Sequence, residues 1–264
     1  MRLVDVGHGT PVVVLPGVQG RWEWMGPAID ALAARCRVIT FSYADERTCG
    51  GQFDPANGFA SYVAQVAEAL DAARLSRATI CGVSYGGLVA AAFAAGHPDR
   101  TSGLVLVSAI PPSWSPDDRV RFYLRSPWLM APLFCLGSLR LHREIAAAVP
   151  GRLRGILASL RIGLRVLAHM FSPPRMARRA TLLAPPSLSA DLRRLAMPTL
   201  VVTGEVGLDR VVPVAMTHEY LQLLPHATAV TIPNTGHLGL ITRPAEFARL
   251  VGDFARQSAT EPAR

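Results

Sequence analysis

The stretch Gly82-Val83-Ser84-Tyr85-Gly86-Gly87 decides the fold of this 264-residue chain. It follows the apolar run 77–82 and precedes the alanine-rich run 88–96, an order that predicts a strand, an abrupt turn and a helix. A G-x-S-x-G motif in this setting places a serine hydroxyl on a strained turn at a strand end, where a base can reach it. Gly82 and Gly86 are needed because backbone packs against backbone there, which leaves no room for a Cβ. The motif therefore predicts that Ser84 is a nucleophile.

Two further residues, His237 and Asp209, have the positions that the partners of a catalytic serine require. His237 follows the apolar run 227–232, and Asp209 follows the β-branched run 199–203 and a glycine-containing loop, so each is predicted to lie just beyond a strand. An imidazole takes the serine proton during attack, and a carboxylate orients that imidazole and stabilises its protonated form. A catalytic triad is therefore predicted in the chain order Ser84, Asp209, His237.

This order, with each residue at a strand end, resembles the α/β-hydrolase fold superfamily. The resemblance covers nearly the whole chain except about residues 113–196. It implies an α/β fold, with a mostly parallel central sheet and helices on both faces formed by residues 1–112 and 197–264. It also implies that residues 113–196 are an inserted helical cap, which would roof the active site and exclude water.

Hydrophobic periodicity agrees with this architecture, because strand and helix patterns alternate along the chain. Strands are predicted at residues 2–6, 11–15, 38–43, 77–82, 103–108, 199–203 and 227–232. Helices are predicted at residues 24–35, 59–74, 88–96, 213–224 and 244–257. The stretch 113–196 contains no convincing strand pattern, and helical segments are predicted there at 119–124, 128–136, 139–149, 153–171 and 173–183.

The resemblance also implies an oxyanion hole, the pair of backbone N–H groups that stabilises the negative charge formed during acyl transfer. One donor is the N–H of Tyr85, the residue after the nucleophile. The other is the N–H of Val18, on the loop after the predicted strand 11–15. Pro16-Gly17 stands where relatives often have His-Gly, a modest departure because a backbone group supplies the hydrogen bond.

The identity of the triad acid stays open, because the loop that carries Asp209 is about two residues longer than is usual in this superfamily. Glu205 lies on the same loop. Asp117 and Asp118, after the predicted strand 103–108, are alternatives because some members place the acid there.

Large apolar residues near the motifs and in the predicted cap are candidates for substrate contact. The principal candidates are Trp22, Trp24, Trp114, Trp128 and Leu238. Further candidates for pocket walls in the cap are Phe122, Met130, Phe134, Met170 and Phe171.

Charge and composition exclude several classes of function. All 27 basic residues are arginine, the formal net charge is +8, and arginine is densest between Arg140 and Arg179. Such a field attracts anionic partners, and an acidic carrier protein or an anionic surface is considered on that ground. Nucleic-acid binding is not expected, because no motif accompanies the arginines and aromatic residues do not interleave with them. Four cysteines are scattered without motif spacing, and no histidines are paired at metal-ligand spacing. No metal, cofactor, signal peptide or transmembrane segment is predicted, which favours a cytoplasmic protein of unspecified oligomeric state.

The function predicted from these residues is that of a serine hydrolase acting on a small-to-medium, largely apolar carboxylic ester. Two enzymatic alternatives use the same triad, namely a carbon–carbon bond hydrolase and a thioesterase that serves an acidic carrier protein. A non-catalytic ligand-binding protein of the same fold is the alternative outside enzymes, because the scaffold hosts many activities.

Overall fold

Seven strands form one sheet in the computed structural model, which describes residues 1–51, 53–137, 141–149, 151–169 and 172–260. The strands are β1 (Val4–Val6), β2 (Pro11–Leu15), β3 (Arg37–Thr40), β4 (Ala78–Val83), β5 (Thr101–Val107), β6 (Thr199–Thr203) and β7 (Ala227–Thr231). Their order across the sheet is β1-β3-β2-β4-β5-β6-β7, and all neighbouring pairs are parallel except β1 with β3. The prediction of a mostly parallel sheet is confirmed.

Helices cover both faces of the sheet, as predicted. On one face α2 (Ala60–Ala72) and α3 (Tyr85–Gly96) pack against the sheet, and on the other α1 (Gly26–Ala33) and α13 (Pro244–Thr260) do so. A hydrophobic core lies on each face of the sheet, and alternate residues of a strand pack into opposite cores. Val13 and Leu15 belong to one core, and Val12 and Val14 belong to the other. Burial on both faces explains why the central strands read as continuous apolar runs rather than as alternating ones.

Two predicted helices differ from the structure. The segment predicted as one helix at 24–35 begins with a 3-10 turn over Trp22–Met25, and α1 follows it. The segment 213–224 is split into α10 (Val214–Thr217) and α11 (Tyr220–Leu223). Tertiary bonds fix both pieces, because Thr217 Oγ1 donates to the Ala109 carbonyl at 3.0 Å and the Tyr220 hydroxyl donates to the Ile110 carbonyl at 2.8 Å.

The segment between β5 and β6 is helical throughout its described regular structure, and residues 113–196 are called the helical insert below. Its helices are α4 (Asp118–Arg125), α5 (Pro127–Gly137), α6 (His142–Ala148), α7 (Arg152–Ala168), α8 (Pro173–Thr181) and α9 (Leu188–Leu192). The short α9 has no counterpart among the predicted helices. The helices α4, α5 and α8 pack against one another, and α6 packs against α7.

The topology positions the site, because the carboxyl ends of the parallel strands meet at one edge of the sheet. The loops after β2, β4, β6 and β7 carry Val18, Ser84, Asp209 and His237 respectively. In open α/β sheets this edge is where ligands bind.

Candidate active site

Ser84 occupies a strained turn between β4 and α3. Its backbone has φ 54° and ψ −117°, a region that L-residues rarely adopt, and its N–H donates to the Val107 carbonyl at 2.9 Å. A Cβ on Gly82 would lie 2.2 Å from the Gly86 carbonyl oxygen, and a Cβ on Gly86 would lie 2.5 Å from that of Pro16. The close backbone packing predicted for these two glycines is therefore present.

Asp209 and His237 come together at the carboxyl ends of β6 and β7. Asp209 Oδ2 lies 3.4 Å from His237 Nδ1, and both side chains are buried. The other oxygen of Asp209 accepts hydrogen bonds of 3.0 Å from the N–H groups of Val211 and Val212. Burial raises the pKa of Asp209, but the hydrogen bond with His237 and the two backbone donors outweigh it and lower the pKa below its ordinary value. The carboxylate is therefore charged where it meets the imidazole.

The three alternative acids do not contact His237 in the structure. Glu205 accepts a hydrogen bond of 2.8 Å from the Asn234 N–H. Asp117 caps the first turn of α4 through Val120, and Asp118 pairs with Arg121 at 3.0 Å on the surface. Among the hydrogen bonds of the described residues, the one made by the His237 ring is with Asp209, and none joins it to Ser84. Such bonds often tighten only when substrate binds.

Val18 and Tyr85 flank Ser84, and all three line one cavity. Tyr85 is the first residue of α3, so its N–H is one of the free donors at a helix N-terminus. The loop that carries Val18 is held at both ends by Tyr43, whose hydroxyl donates to the Pro16 carbonyl at 2.9 Å and whose N–H donates to the Gly20 carbonyl at 2.9 Å. These contacts fix the backbone on which the second oxyanion donor is predicted.

A buried arginine of the helical insert also holds the Val18 loop. Arg179 on α8 is fully buried, donates to the Val18 carbonyl at 3.0 Å, and forms ion pairs with Asp45 and Glu46 of the loop after β3. Gly20 makes room for it, since a Cβ there would lie 2.2 Å from the guanidinium carbon. Nothing in the sequence distinguishes this residue from the many other arginines in the segment.

A second unpredicted residue, Glu144 on α6, reaches the loop of the candidate base. Its Oε1 accepts the N–H groups of Gly236, at 2.8 Å, and of Leu238, the residues on either side of His237. The side chain is 1% exposed, and its other oxygen has no partner among the described residues. Burial raises the pKa of Glu144 to about 7, against the lowering effect of the two backbone donors and His237. The feature of the sequence that could have identified Glu144 is that it is the one acidic residue between Asp118 and Asp191, a stretch rich in arginine.

We expect Glu144 to make stability depend on pH. A carboxyl whose pKa is raised by folding stabilises the protein most below pH about 4.5, and that stabilisation is lost as pH rises through about 7. Glu144→Gln stays neutral and keeps an acceptor oxygen for both N–H groups. Between pH 5 and pH 8 the free energy of unfolding of the variant, relative to that of the wild type, should therefore rise by at most about 3 kcal/mol. This corresponds to a relative increase in Tm on the order of 5 °C.

Thermal unfolding at a series of pH values measures this difference. Glu246→Gln is the matched control, because Glu246 is at the surface and the hydrogen bond from Arg249 lowers its pKa, the direction opposite to that of Glu144. A Glu144→Gln curve that runs parallel to the wild type would contradict a raised pKa.

A cavity of about 270 Å³ lies between the sheet edge and the helical insert. The core contributes Ser84, Val18, Tyr85 and mostly aliphatic neighbours, and the insert contributes residues of α4, α5 and α8. No lining residue in the part of the chain that the structure describes carries a charged side chain. The lining comprises Val18, Ser84, Tyr85, Ile110, Trp114, Val120, Tyr123, Leu124, Pro127, Met130, Ala131, Pro173, Met176, Ala177, Ala180, Val211, Val212 and Met216.

Of the five principal contact candidates, the structure places Trp114 in this lining and the other four elsewhere. Trp22 packs against the core beneath α1, and Trp24 donates its indole N–H to the His169 carbonyl at 2.9 Å. Trp128 is 68% exposed on the outer side of α5, and Leu238 is held by its N–H to the insert.

Among the further candidates for pocket walls, Met130 lines the cavity, whereas Phe122 is 53% exposed. Met170, Phe171 and the side chain of Phe134 lie outside the described residues.

In the part of the chain that the structure describes, no group of His, Cys, Asp or Glu side chains could hold a metal ion. Cys36, Cys49 and Cys81 are buried free thiols, and burial raises the pKa of Cys81 to about 12. The reactive groups at the carboxyl edge of the sheet are the Ser84 hydroxyl, the His237 imidazole and backbone N–H donors.

Comparison with known proteins extends these observations. A 2-hydroxy-6-oxo-2,4-heptadienoate hydrolase of Pseudomonas putida is 31% identical over 268 residues, covering 96% of this chain and 91% of the relative. A pimeloyl-[acyl-carrier protein] methyl ester esterase of Aliivibrio salmonicida is 25% identical, covering 91% of this chain and 90% of the relative. An esterase structure from Exiguobacterium antarcticum has a TM-score of 0.79 at 18% identity, covering 96% of this chain and 94% of that chain, a likeness of fold alone.

A family model, that of the alpha/beta hydrolase family, also matches most of the chain. It spans residues 8–250 and therefore includes the elbow, both partner loops and the helical insert. With the seven-stranded sheet and the strained serine turn, it shows that the chain belongs to the alpha/beta hydrolase family.

Proposed function

We propose that this hydrolase cleaves small-to-medium, largely apolar carboxylic esters through an acyl-enzyme formed on Ser84. The observation that carries the proposal is the uncharged cavity that Ser84, Val18 and Tyr85 line together. Such a cavity accommodates an apolar acyl or alcohol group through van der Waals contacts, and it places the ester carbonyl next to both the nucleophile and the oxyanion donors.

In the first half of the proposed reaction, Ser84 Oγ bonds to the ester carbonyl carbon and its proton passes to His237 Nε2. The carbonyl oxygen becomes an oxyanion that accepts the N–H groups of Val18 and Tyr85. Asp209 holds His237 through Nδ1, which leaves Nε2 free to take the proton and stabilises the imidazolium. The oxyanion then reforms the carbonyl, the bond to the alcohol oxygen breaks, and the alcohol leaves with the proton from His237.

In the second half, water attacks the acyl group on Ser84 while His237 takes one of its protons. Collapse of the second tetrahedral intermediate breaks the bond to Ser84 Oγ, which regains a proton from His237. The carboxylic acid departs, and the enzyme returns to its starting state.

Carbon–carbon bond hydrolysis is the second candidate function, because the relative from Pseudomonas putida is named for a 2-hydroxy-6-oxo-2,4-heptadienoate. That name denotes a carboxylate. Among the described residues that line the cavity, none offers a charged side chain to a carboxylate, and a buried anion without a partner is strongly disfavoured. The lining therefore favours the ester over the charged diketone.

A matched pair of esters tests the proposal. p-Nitrophenyl butyrate and p-nitrophenyl hemisuccinate have four-carbon acyl groups and the same leaving group, but the hemisuccinate ends in a carboxylate. We expect kcat/KM for the hemisuccinate to be at least about 10²-fold lower than that for the butyrate, because its charge would be desolvated against apolar walls. Comparable values for the two esters would overturn the apolar substrate class. Turnover of 2-hydroxy-6-oxo-2,4-heptadienoate, with neither ester cleaved, would establish the second candidate instead.

A further inference from the structure

The exposed apolar surface of this protein is concentrated on the helical insert. Among the described residues, ten of the fourteen strongly exposed large apolar side chains lie between Phe122 and Leu183. Five of them are on α7, which is a larger group than any other helix contributes among these residues. The rest of the described molecule buries most of its large apolar side chains in the two cores on either side of the sheet. An apolar concentration of this kind marks a surface that binds something.

The exposed side chains of α7 form one continuous stripe, called the α7 apolar face. At 100° per residue they fall within about a third of the helix circumference. Their exposures lie between 44% and 77%, so the stripe is not covered by the described protein. The residues of the face are Leu153, Ile156, Leu157, Leu160 and Leu164.

Positive charge borders the α7 apolar face. Arg154 and Arg161 lie along one side of the stripe, are exposed, and form none of the salt bridges found among the described residues. The helix contains no acidic residue. Arg165, further round the helix, donates to the Glu23 carbonyl at 3.2 Å and so anchors α7 to the core with the stripe directed outward.

The charge of the whole insert has the same sign. Residues 113–196 contain 14 of the 27 arginines and 4 of the 19 acidic residues, which gives this segment a formal charge of +10 and leaves −2 for the rest of the chain. Two molecules that met through this segment would bring like charges together, which disfavours a second copy as the occupant of the α7 apolar face.

From these observations we propose that α7 docks on the surface of anionic lipid membranes. The aliphatic stripe would lie among the upper acyl chains, and Arg154 and Arg161 would contact the headgroup phosphates. An amphipathic helix with leucines on one face and arginines beside them is suited to that interface, because acyl chains require no directed hydrogen bonds. In the described part of the chain no helix is long and apolar enough to cross a membrane, so the contact is peripheral.

Docking through α7 would bring the helical insert, and with it the apolar cavity, to the membrane, where apolar esters concentrate. The insert contributes α4, α5 and α8 to the cavity wall. The inference itself does not depend on the reaction, since membrane binding is measured without turnover and is expected to be unchanged in Ser84→Ala.

Vesicle co-sedimentation tests the proposal. Wild-type protein should bind phosphatidylcholine vesicles that contain phosphatidylglycerol at least about 10-fold more tightly than pure phosphatidylcholine, and high salt should abolish the difference. Leu157→Ser with Leu160→Ser should weaken this binding about 10-fold or more, and so should Arg154→Gln with Arg161→Gln. Val206→Ser is the control, because Val206 is 80% exposed on the loop after β6 and lies outside the insert.

Three results would overturn the proposal. The first is equal binding to both kinds of vesicle, or binding that neither pair of substitutions weakens. The second is a wild-type dimer in sedimentation velocity that Leu157→Ser with Leu160→Ser converts to a monomer, because the face would then join two copies. The third is salt-dependent binding to an acyl carrier protein, lost in these variants, without vesicle binding. Circular dichroism of each variant confirms that the exposed substitutions leave the fold intact.

Discussion

Ser84→Ala should lose ester hydrolysis by about 10⁴-fold or more while the protein stays folded. The substitution removes the oxygen that forms the acyl-enzyme and leaves the turn, the cavity and the two oxyanion donors in place. Binding of an apolar ester should persist, because the lining is otherwise unchanged. Steady-state hydrolysis of p-nitrophenyl butyrate measures the first effect, and equilibrium binding of a non-hydrolysable ketone analogue measures the second.

Ser108→Ala is the matched control for this experiment. Ser108 directly follows the neighbouring strand β5, is buried, and has a positive φ of 41°, as the nucleophile does. Alanine and serine are equally strained there, so activity should be retained. Hydrolysis that survives Ser84→Ala would exclude the acyl-enzyme. Wild-type protein that binds the esters without turning them over would favour the carbon–carbon hydrolase or a non-catalytic binding protein.

Arg179→Met should destabilise the protein by about 3–5 kcal/mol, on the order of 10 °C in Tm. Methionine fills much of the space but leaves Asp45 and Glu46 without their buried counter-charge. It also removes the donor to the Val18 carbonyl, so kcat should fall in the molecules that remain folded. Thermal unfolding measures the first effect, and hydrolysis at low temperature measures the second.

Arg178→Met is the matched control for charge and position. Arg178 is the preceding residue of α8, is exposed, and stacks over Phe53, with its guanidinium carbon 5.5 Å from the ring centroid. Its loss should cost about 1 kcal/mol or less. A triple variant that adds Asp45→Asn and Glu46→Gln to Arg179→Met should recover much of the stability, because no fully buried charge is then left unpaired and Arg175, which pairs with Glu46 at 3.3 Å, is partly exposed to solvent. Equal losses for Arg178→Met and Arg179→Met would contradict this account.

The parts of the fold that were predictable from sequence are those that depend on local pattern. The elbow could be predicted because backbone crowding imposes glycine at fixed offsets from Ser84. The sheet could be predicted because strands buried on both faces read as uninterrupted apolar runs. The placement of Asp209 beside His237 agrees with the topology, since both residues lie on loops that follow neighbouring parallel strands.

Glu144 and Arg179 were not predictable in this way. Glu144 binds backbone groups more than ninety residues away, and Arg179 reaches loops before the elbow, so neither contact leaves a periodic trace. The aromatic candidates show the converse problem. A tryptophan such as Trp128 looks the same in the sequence whether it lies on the outer side of a helix or in a cavity wall. The orientation of the helix decides between these two positions.

The attachments of the helical insert to the core are unevenly distributed. Helices α6, α7 and α8 are bonded to the core through Glu144, Arg165 and Arg179, whereas no such bond is described for α4 and α5. Although both helices pack against α8, they form the part of the cavity wall that has no described hydrogen bond to the His237 and Val18 loops. Substitutions on the cavity side of α4 and α5 should therefore change the admission of substrate with less effect on the alignment of the reacting groups than substitutions at Glu144 or Arg179.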